Sequence, residues 1–385
     1  MLKKGMALNR EFCFDGDPGC REPSGTSIAL GRLHLRATTV FDTYWKFACE
    51  RQAIFLRRLE GTAPWTRDPI LSTFRFTNPY RASDRVSQFL IREVAYKGDQ
   101  SVNELFFRII LFKLFNKIET WQLLTSEVGE PSYADYSYHI YDRVLTKALE
   151  SGSRIYSAAY IMPSGGRSGL DRKHQSHLLL LERMIREDVP GRISNMRRMA
   201  DAFKLLRSYP MLGDFLAYQF VTDLNYSTLC DFGEDEFVVP GPGARDGIRK
   251  CFPELPISKS AEVIEAVCEV QEEQFNRHEL DFKTLWGRRL QLIDCQNLFC
   301  EVDKYARIAH PDIAGISGRI RIKQSYRPKG ALPKLFFPPK WKINDHIPIA
   351  FRAPDCSRNF AADTEVAVPE LGERYLNPIL RAARA

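Results

Sequence analysis

Several signatures that would fix a chemistry are missing from this sequence. It contains no GxxxxGK[ST] loop and no strand-led GxGxxG, so neither a Walker-type phosphate cradle nor a dinucleotide-binding turn is encoded. The βαβ alternation that a dinucleotide fold requires is lacking as well. None of the nine cysteines falls in a CxxC pair, which argues against a structural zinc or iron–sulfur site. Their odd number, scattered through a long chain, reads as free thiols in a reducing compartment, and a cytoplasmic location is expected. No apolar run is long enough for a membrane-spanning helix. The first residues, MLKKGMALNREF, carry charges but no apolar core of the kind a secretory signal needs. Strand-like alternation is confined to RIRIK near residue 320, and no internal repeat is present. No metal, cofactor or membrane is therefore expected.

What is present is helical periodicity. The 385 residues are 44% hydrophobic and 27% charged, a composition typical of a globular protein with a sizeable core. Apolar residues recur at helical spacing in Thr43–Arg58, Ser83–Val94, Val102–Phe115, Ser176–Ile185, Met199–Leu206, Asp214–Thr222 and Ala261–Phe275. Cys295 and Cys300 read as residues of a further buried helix. Segments 163–169 and 231–236 read as loops. The expected architecture is mainly α-helical with a basic, irregular C-terminal section. Residues 1–35 are expected to be peripheral, 36–315 a helical domain, 316–345 a basic aromatic arm and 346–385 a tail. His174 and His177 in HQSH have one-turn spacing, but no acidic or cysteine companion is evident, and they are expected to face solvent.

The net charge of +7 is compatible with a polyanionic partner, and its distribution says more. From Arg319 to Lys342 there are eight Lys/Arg and no Asp or Glu, interleaved with Tyr326, Phe336, Phe337 and Trp341. Arg321, Lys323, Arg327 and Lys329 can follow phosphates while the rings offer stacking faces; a Pro-rich arm packed back on the domain is the alternative. In Pro64–Val94, Arg81, Asp84, Arg85 and Gln88 stand at i, i+3, i+4 and i+7, one face of a helix. With Asn78 and Tyr80 they form a set of forked donors and acceptors suited to a base or sugar. An exposed helix stitched by ion pairs explains the same pattern.

VVPGPGARDGIRK, residues 238–250, places Gly241 and Gly243 around a proline, with Arg245, Arg249 and Lys250 behind them. Glycines permit close approach, and backbone N–H groups at a helix start can point at a phosphate. A plain connection between helices remains open. The pattern resembles the hairpin of helix-hairpin-helix DNA glycosylases. That resemblance implies a DNA-gripping turn, with Arg245 standing where strand-cleaving members carry lysine; a monofunctional enzyme using water follows. It also implies a catalytic aspartate in CEVDKYARI, namely Asp303, with Tyr305 nearby and Glu301 or Asp223 as alternatives. Sixty residues separate Gly243 from Asp303, longer than in that family, and an insertion at about 252–290 is expected to fill the gap. A salt bridge of Asp303 with Lys304 or Arg307 is the structural alternative. Asp223 and Asn225 in DLNYS either line the cleft or cap a helix.

Taken together, YWKFACERQ, the 64–94 segment, QFVTDLNYS, VVPGPGARDGI, CQNLFCEVDKY and RIKQSYRPK resemble a phage and bacterial family. It is known as the 5-hydroxymethyluracil DNA kinase helical domain, or the α-glutamyl/putrescinyl-thymine pyrophosphorylase group. The resemblance spans about residues 40–345. Its kinase members carry a separate P-loop domain, so kinase activity is not expected. The leading expectation is a monofunctional glycosylase, without lyase activity, that flips out a hypermodified base from double-stranded phage DNA, in anti-phage defence. A base-modifying pyrophosphorylase or transferase acting on phosphorylated hydroxymethyluracil is one alternative; a non-catalytic DNA-binding module is another. A monomer is expected.

Overall fold

The computed structural model describes residues 25–165, 170–328 and 330–354. Fourteen α-helices dominate these residues, and the single sheet is a hairpin of β1 (Thr26–Leu30) and β2 (Leu33–Ala37). β1 pairs antiparallel with β2, Thr26 opposite Ala37, and buries Ile28 and Leu30. Part of the segment expected to be peripheral therefore belongs to the core.

α1 (Thr39–Glu60) starts where the Thr38 side chain accepts a bond from Val40 N and stops at Gly61, whose φ of 75° lies in the left-handed region. α2 (Pro69–Thr73) is a single turn capped by Asp68. α4 (Val102–Phe115) is buried on every face from Glu104 to Phe115, as an almost uniformly apolar helix must be. Around it pack α7 (Lys173–Arg186), α8 (Val189–Ser194) and α10 (Asp214–Leu224). α5 (Ile118–Val128) and α6 (Tyr138–Glu150) lie outside them, and α9 (Met199–Arg207) packs on α10.

A second helical group joins α1 to α11 (Pro242–Cys251) and α14 (Leu292–Ala309), with α12 (Ser260–Glu269) against α14. The approach of α11 to α14 is unusually close. A Cβ on Gly247 would sit 2.0 Å from Phe299 O, and one on Gly243 would sit 2.4 Å from Cys300 Sγ. These glycines serve helix packing.

The expected DNA hairpin is not formed. Residues 225–241 separate α10 from α11, Gly241 has an ordinary φ of −72°, and Pro242 occupies the first turn of α11. A Cβ on Gly241 would meet the Phe215 ring at 2.8 Å, so its role is also close packing. Three other expectations change. Ser83–Val94 is not one helix: Arg81–Ser83 is a 3-10 turn, α3 spans Arg85–Phe89, and Leu90–Ala95 is a π-helical turn. Ala261–Phe275 divides into α12 and α13 (Gln271–Arg277). RIRIK forms no regular strand; the chain just beyond it bridges residues 73–75 through Arg75 N to Gln324 O (3.0 Å) and Tyr326 N to Thr73 O (2.8 Å).

The C-terminal arm is partly core. Leu335, Phe336, Phe337 and Ile343 are buried, as are Ile347 and Ala353 of the expected tail, so Phe336 and Phe337 are not exposed stacking platforms. Trp341 is covered by the Arg288 guanidinium, 3.8 Å from its ring. Lys329 lies outside the described residues.

Candidate functional site

A cavity of about 1360 Å³ opens between α1, residues 63–90, α4, residues 154–160 and the 323–332 segment. That volume admits an entire nucleotide. Among its lining residues is Asp223, delivered by the last turn of α10 and buried to 1% exposure. Arg81 Nη1 donates to Asp223 Oδ1 at 2.6 Å, and Lys113 Nζ lies 2.7 Å from Asp223 Oδ2. Arg81 is also fixed by Gln219 Oε1 at 3.1 Å, and its backbone N–H donates to Asp294 Oδ1 at 2.8 Å. Lys113 reaches Asn116 Oδ1 at 2.9 Å.

The electrostatics follow from one carboxylate between two cations. Arg81 and Lys113 hold the Asp223 carboxyl below its ordinary value against the opposing effect of burial. Burial lowers Lys113, with Asp223 acting in the other direction. The Tyr160 ring lies 4.6 Å from Lys113 Nζ and 5.8 Å from the Arg81 guanidinium carbon. Tyr160 itself has φ +55°, a left-handed conformation costly for an aromatic residue, and stacks on Phe215 at 5.7 Å. Gly241 thus bears on the cavity indirectly, by leaving room for the ring that backs Tyr160.

Asp84 also lines the cavity. Its Oδ1 accepts from Asn78 N at 2.9 Å, and burial pushes its carboxyl up to about 7. Arg51 of α1 donates to Asn78 Oδ1 at 2.7 Å. Exposed Arg75, Lys323 and Arg327 line the opening with half-buried Arg58, and Trp65, Phe74 and Tyr326 present aromatic surface there.

Of the residues expected to meet a base or sugar, Asn78, Arg81, Asp84 and Arg85 line this cavity. They do not share a regular helical face, because the 81–95 backbone changes helix type. Asn78 spends its side chain internally, accepting from Arg51 and donating to Ser83 O at 3.0 Å. Gln88 points into the protein, donating to Ala82 O and accepting from Phe336 N. Tyr80 is buried with its hydroxyl on Arg288 O at 2.7 Å. Asn225 clamps the Phe232 backbone through both side-chain groups, and Tyr305 donates to Asp68 Oδ2 at 2.6 Å. None of these last four lines the cavity.

Asp303 is also elsewhere. It is buried at 2% exposure and paired with Lys250 at 3.1 Å and with Arg307, the salt-bridged arrangement that stood as its alternative. Lys250 is accordingly a buried ion-pair partner rather than a free cation for a DNA backbone. Glu301 accepts from Thr77 N at 2.9 Å and pairs with Lys304 at 2.6 Å, tying the 77 segment to α14. Arg249 donates to Pro253 O, while Arg245 and Arg321 are exposed. Both histidines of HQSH are buried, contrary to expectation. His174 Nε2 lies 2.7 Å from Asp142 Oδ1, and His177 Nδ1 lies 2.7 Å from the Tyr156 hydroxyl. No group of three or more potential metal ligands occurs among the described residues, nor is any of their helices long and apolar enough to cross a membrane.

Arg51, Lys113 and Tyr160 are site residues that pattern reading missed. The first two carried a signal. Arg51 occupies the same face of α1 as Tyr44, Phe47 and Phe55, and Lys113 sits inside FKLF of the apolar α4. A charged residue at a core-facing position requires a buried partner or a function.

Residues 38–315 match the family described as "5-hmdU DNA kinase, helical domain", and the chain belongs to that family. Among curated proteins it is similar to the 5-hmdU DNA kinase of Bacillus phage SP10, 26% identical over 324 residues. The aligned region covers 78% of this chain and 50% of the relative, so the chain spans about half the length of the curated relative it matches. No solved structure matches the chain significantly. The relative is named as a kinase, a transferase, and this overturns the expected N-glycosylase activity and the hydrolase class with it. The base-modifying alternative agrees better with the family.

Proposed function

We propose that this chain serves a base-modifying transferase reaction on DNA, holding an extruded 5-hydroxymethyluracil nucleotide in the large cavity with its hydroxymethyl oxygen presented for phosphoryl transfer. The substrate class comes from the name of the phage relative, and the transferase class from the family. The observation that carries the reading is the cavity itself: nucleotide-sized, aromatic-walled, cationic at its opening and holding the Asp84 and Asp223 carboxyls among buried cations within.

A hydroxymethyl group inside a duplex is partly shielded, and extrusion costs roughly a few kcal/mol. Phosphate contacts from Arg58, Arg75, Lys323 and Arg327 offset that cost, and the aromatic surfaces of Trp65, Phe74 and Tyr326 stand in for the neighbouring bases as stacking surfaces. In the transfer, the hydroxymethyl oxygen forms a new bond to the terminal phosphorus of a nucleoside triphosphate. The bond from that phosphorus to its bridging oxygen breaks, leaving the electron pair and negative charge on the nucleoside diphosphate. The hydroxymethyl proton must leave at the same time. Asp84, with its carboxyl near 7, is the acceptor matched to neutral pH. Asp223 is not given this role, because its charge is committed to Arg81 and Lys113.

The test is incubation of the chain together with a P-loop kinase domain, since no such loop is encoded in this sequence, with γ-labelled nucleoside triphosphate and duplexes carrying hydroxymethyluracil or thymine, followed by nuclease digestion and mass spectrometry. Labelled phosphoryl-hydroxymethyluracil with an intact backbone is expected from the pair, and none from thymine. Equal binding of both duplexes without transfer, or release of free base with alkali-sensitive sites, refutes the reading.

A further inference from the structure

Not all cations of the cavity are compensated. Arg81 and Lys113 share Asp223, but Arg51 has no ion-pair partner among the described residues, although it is only 7% exposed. Its Nη2 reaches two neutral acceptors, Asn78 Oδ1 at 2.7 Å and Phe76 O at 3.4 Å. Its Nη1 is buried with no hydrogen-bond partner. A guanidinium removed from water without a bonded countercharge is unfavourable, and an unsatisfied N–H on it adds to the cost. Burial lowers Arg51 to about 10 even though the nearby Asp84 and Glu301 carboxylates oppose the shift, and Arg58 pushes in the same direction as burial.

Arg58 follows Arg51 by two turns on the same face of α1, and its guanidinium lies over the Trp65 ring at 5.1 Å. Two like charges therefore line one wall of the cavity without a carboxylate bonded to either among the described residues. Two further buried donors on residues of this wall have no partner: Trp65 Nε1 and the Tyr326 hydroxyl. Four donor groups, two of them cationic, match an oxyanion with several acceptor atoms.

We propose that Arg51, Arg58, Trp65 and Tyr326 form a phosphate-binding subsite inside the cavity. Arg51 is its anchor: its unpartnered N–H is already desolvated, and a side-chain shift that brings it to the cavity gains a charge-assisted bond. The ligand chemistry is a phosphate oxyanion. Its source is either a terminal phosphate or the backbone phosphodiester of the nucleotide held in the cavity. The subsite does not depend on base modification, because its binding is measured without DNA or turnover.

The test is calorimetric titration of the full chain, in chloride buffer, with inorganic phosphate and separately with the phosphodiester thymidylyl-thymidine. Binding of at least one is expected. Arg51→Met is expected to weaken it about 10- to 100-fold, the loss of a charge-assisted pair. Tyr326→Phe removes only an unpartnered hydroxyl, so it should keep wild-type melting while weakening binding about threefold to tenfold. Preference for inorganic phosphate assigns the subsite to a terminal phosphate, and preference for the dinucleotide assigns it to the DNA backbone. Failure of the wild type to bind either ligand overturns the proposal, as does unchanged affinity in the two variants. Absence of phosphoryl transfer to hydroxymethyluracil with phosphate binding intact would remove the functional reading and leave the subsite standing.

Discussion

Replacing Asp223 with asparagine tests whether the cavity floor is a structural ion network. The substitution preserves shape but leaves Arg81 and Lys113, previously 2.6 and 2.7 Å from opposite oxygens of one carboxylate, as buried cations facing a neutral amide. Removing one partner of a buried ion pair costs about 3–5 kcal/mol. For a chain of this size, that is a fall in melting temperature of roughly 4–6 °C. The cost is limited by proton release. Lys113 is already lowered by burial, with Asp223 as the group that opposes the shift. Without that carboxylate its value falls further, and a lysine depressed in the folded state gains relative stability as pH rises through its folded value. The melting deficit of Asp223→Asn should therefore shrink from pH 7 to pH 9. Adding Lys113→Met should recover much of it at pH 7, because one uncompensated charge disappears. Thermal unfolding followed by circular dichroism across that range is the assay. A variant that melts like wild type but loses turnover would refute the structural role and make Asp223 the reacting carboxylate. A deficit unaffected by both pH and Lys113→Met would refute the electrostatic account.

Three other variants separate chemistry, packing and DNA binding. With Asp84 raised from 3.8 to about 7, transfer should rise with pH through 7; Asp84→Asn should abolish that limb and slow turnover by about 10²–10⁴-fold, as read in single-turnover rates. The stability sign is opposite to that of a salt-bridged carboxylate: a raised folded value favours the fold at low pH and loses that contribution as pH rises through 7. Asp84→Asn should therefore melt higher than wild type at pH 8 and show a smaller difference at pH 5. Gly247→Ala places a methyl group 2.0 Å from Phe299 O; α11 and α14 must part, at a cost of about 3 kcal/mol or more, visible as a lowered melting temperature or insolubility. Converting the exposed Lys323 and Arg327 to alanine should reduce the slope of log affinity against log salt by about 2 for duplex DNA, roughly one for each phosphate that is no longer neutralised. An unchanged slope would exclude those side chains from the backbone path.

The helical character of the chain was legible where one period ran unbroken. Val102–Phe115 has the bounds expected of it, and Met199–Leu206 falls within a helix one residue longer. Residues 81–95 were not legible, because 3-10, α and π turns follow one another within fifteen positions and no single period describes them. The 238–250 segment misled for a different reason. Glycine allows both an unusual backbone angle and a close approach, and sequence does not distinguish the two; here Gly241, Gly243 and Gly247 are all positions of close approach. The site was partly visible as a cluster of polar residues between 78 and 88, yet its partners come from α1, α4, residue 160 and α10. Pairings such as Arg81 with Asp223, 142 positions apart, leave no local pattern. The same applies to Asp303, whose motif context is satisfied equally by the ion pairs it makes with Lys250 and Arg307.

The cavity holds two kinds of cation, and the difference between them suggests how it would be filled. Arg81 and Lys113 share one carboxylate of the fold, which offsets one of their two charges and fixes both side chains without a ligand. Arg51 is equally buried but meets only neutral acceptors. Stability alone does not favour such an arrangement, since an apolar side chain of similar size at that point of α1 would avoid the desolvation cost. Sites that bind anions characteristically keep this kind of uncompensated donor, because a ligand can gain only from charge that the protein has not already neutralised. A ligand phosphate would then be drawn toward Arg51 and Arg58, next to the Asn78 that also holds Asp84. Anchoring the anion and accepting the proton would fall to different, neighbouring side chains. Arg51→Met should consequently raise KM for hydroxymethyluracil DNA more than it lowers kcat, whereas Asp84→Asn should act mainly on kcat.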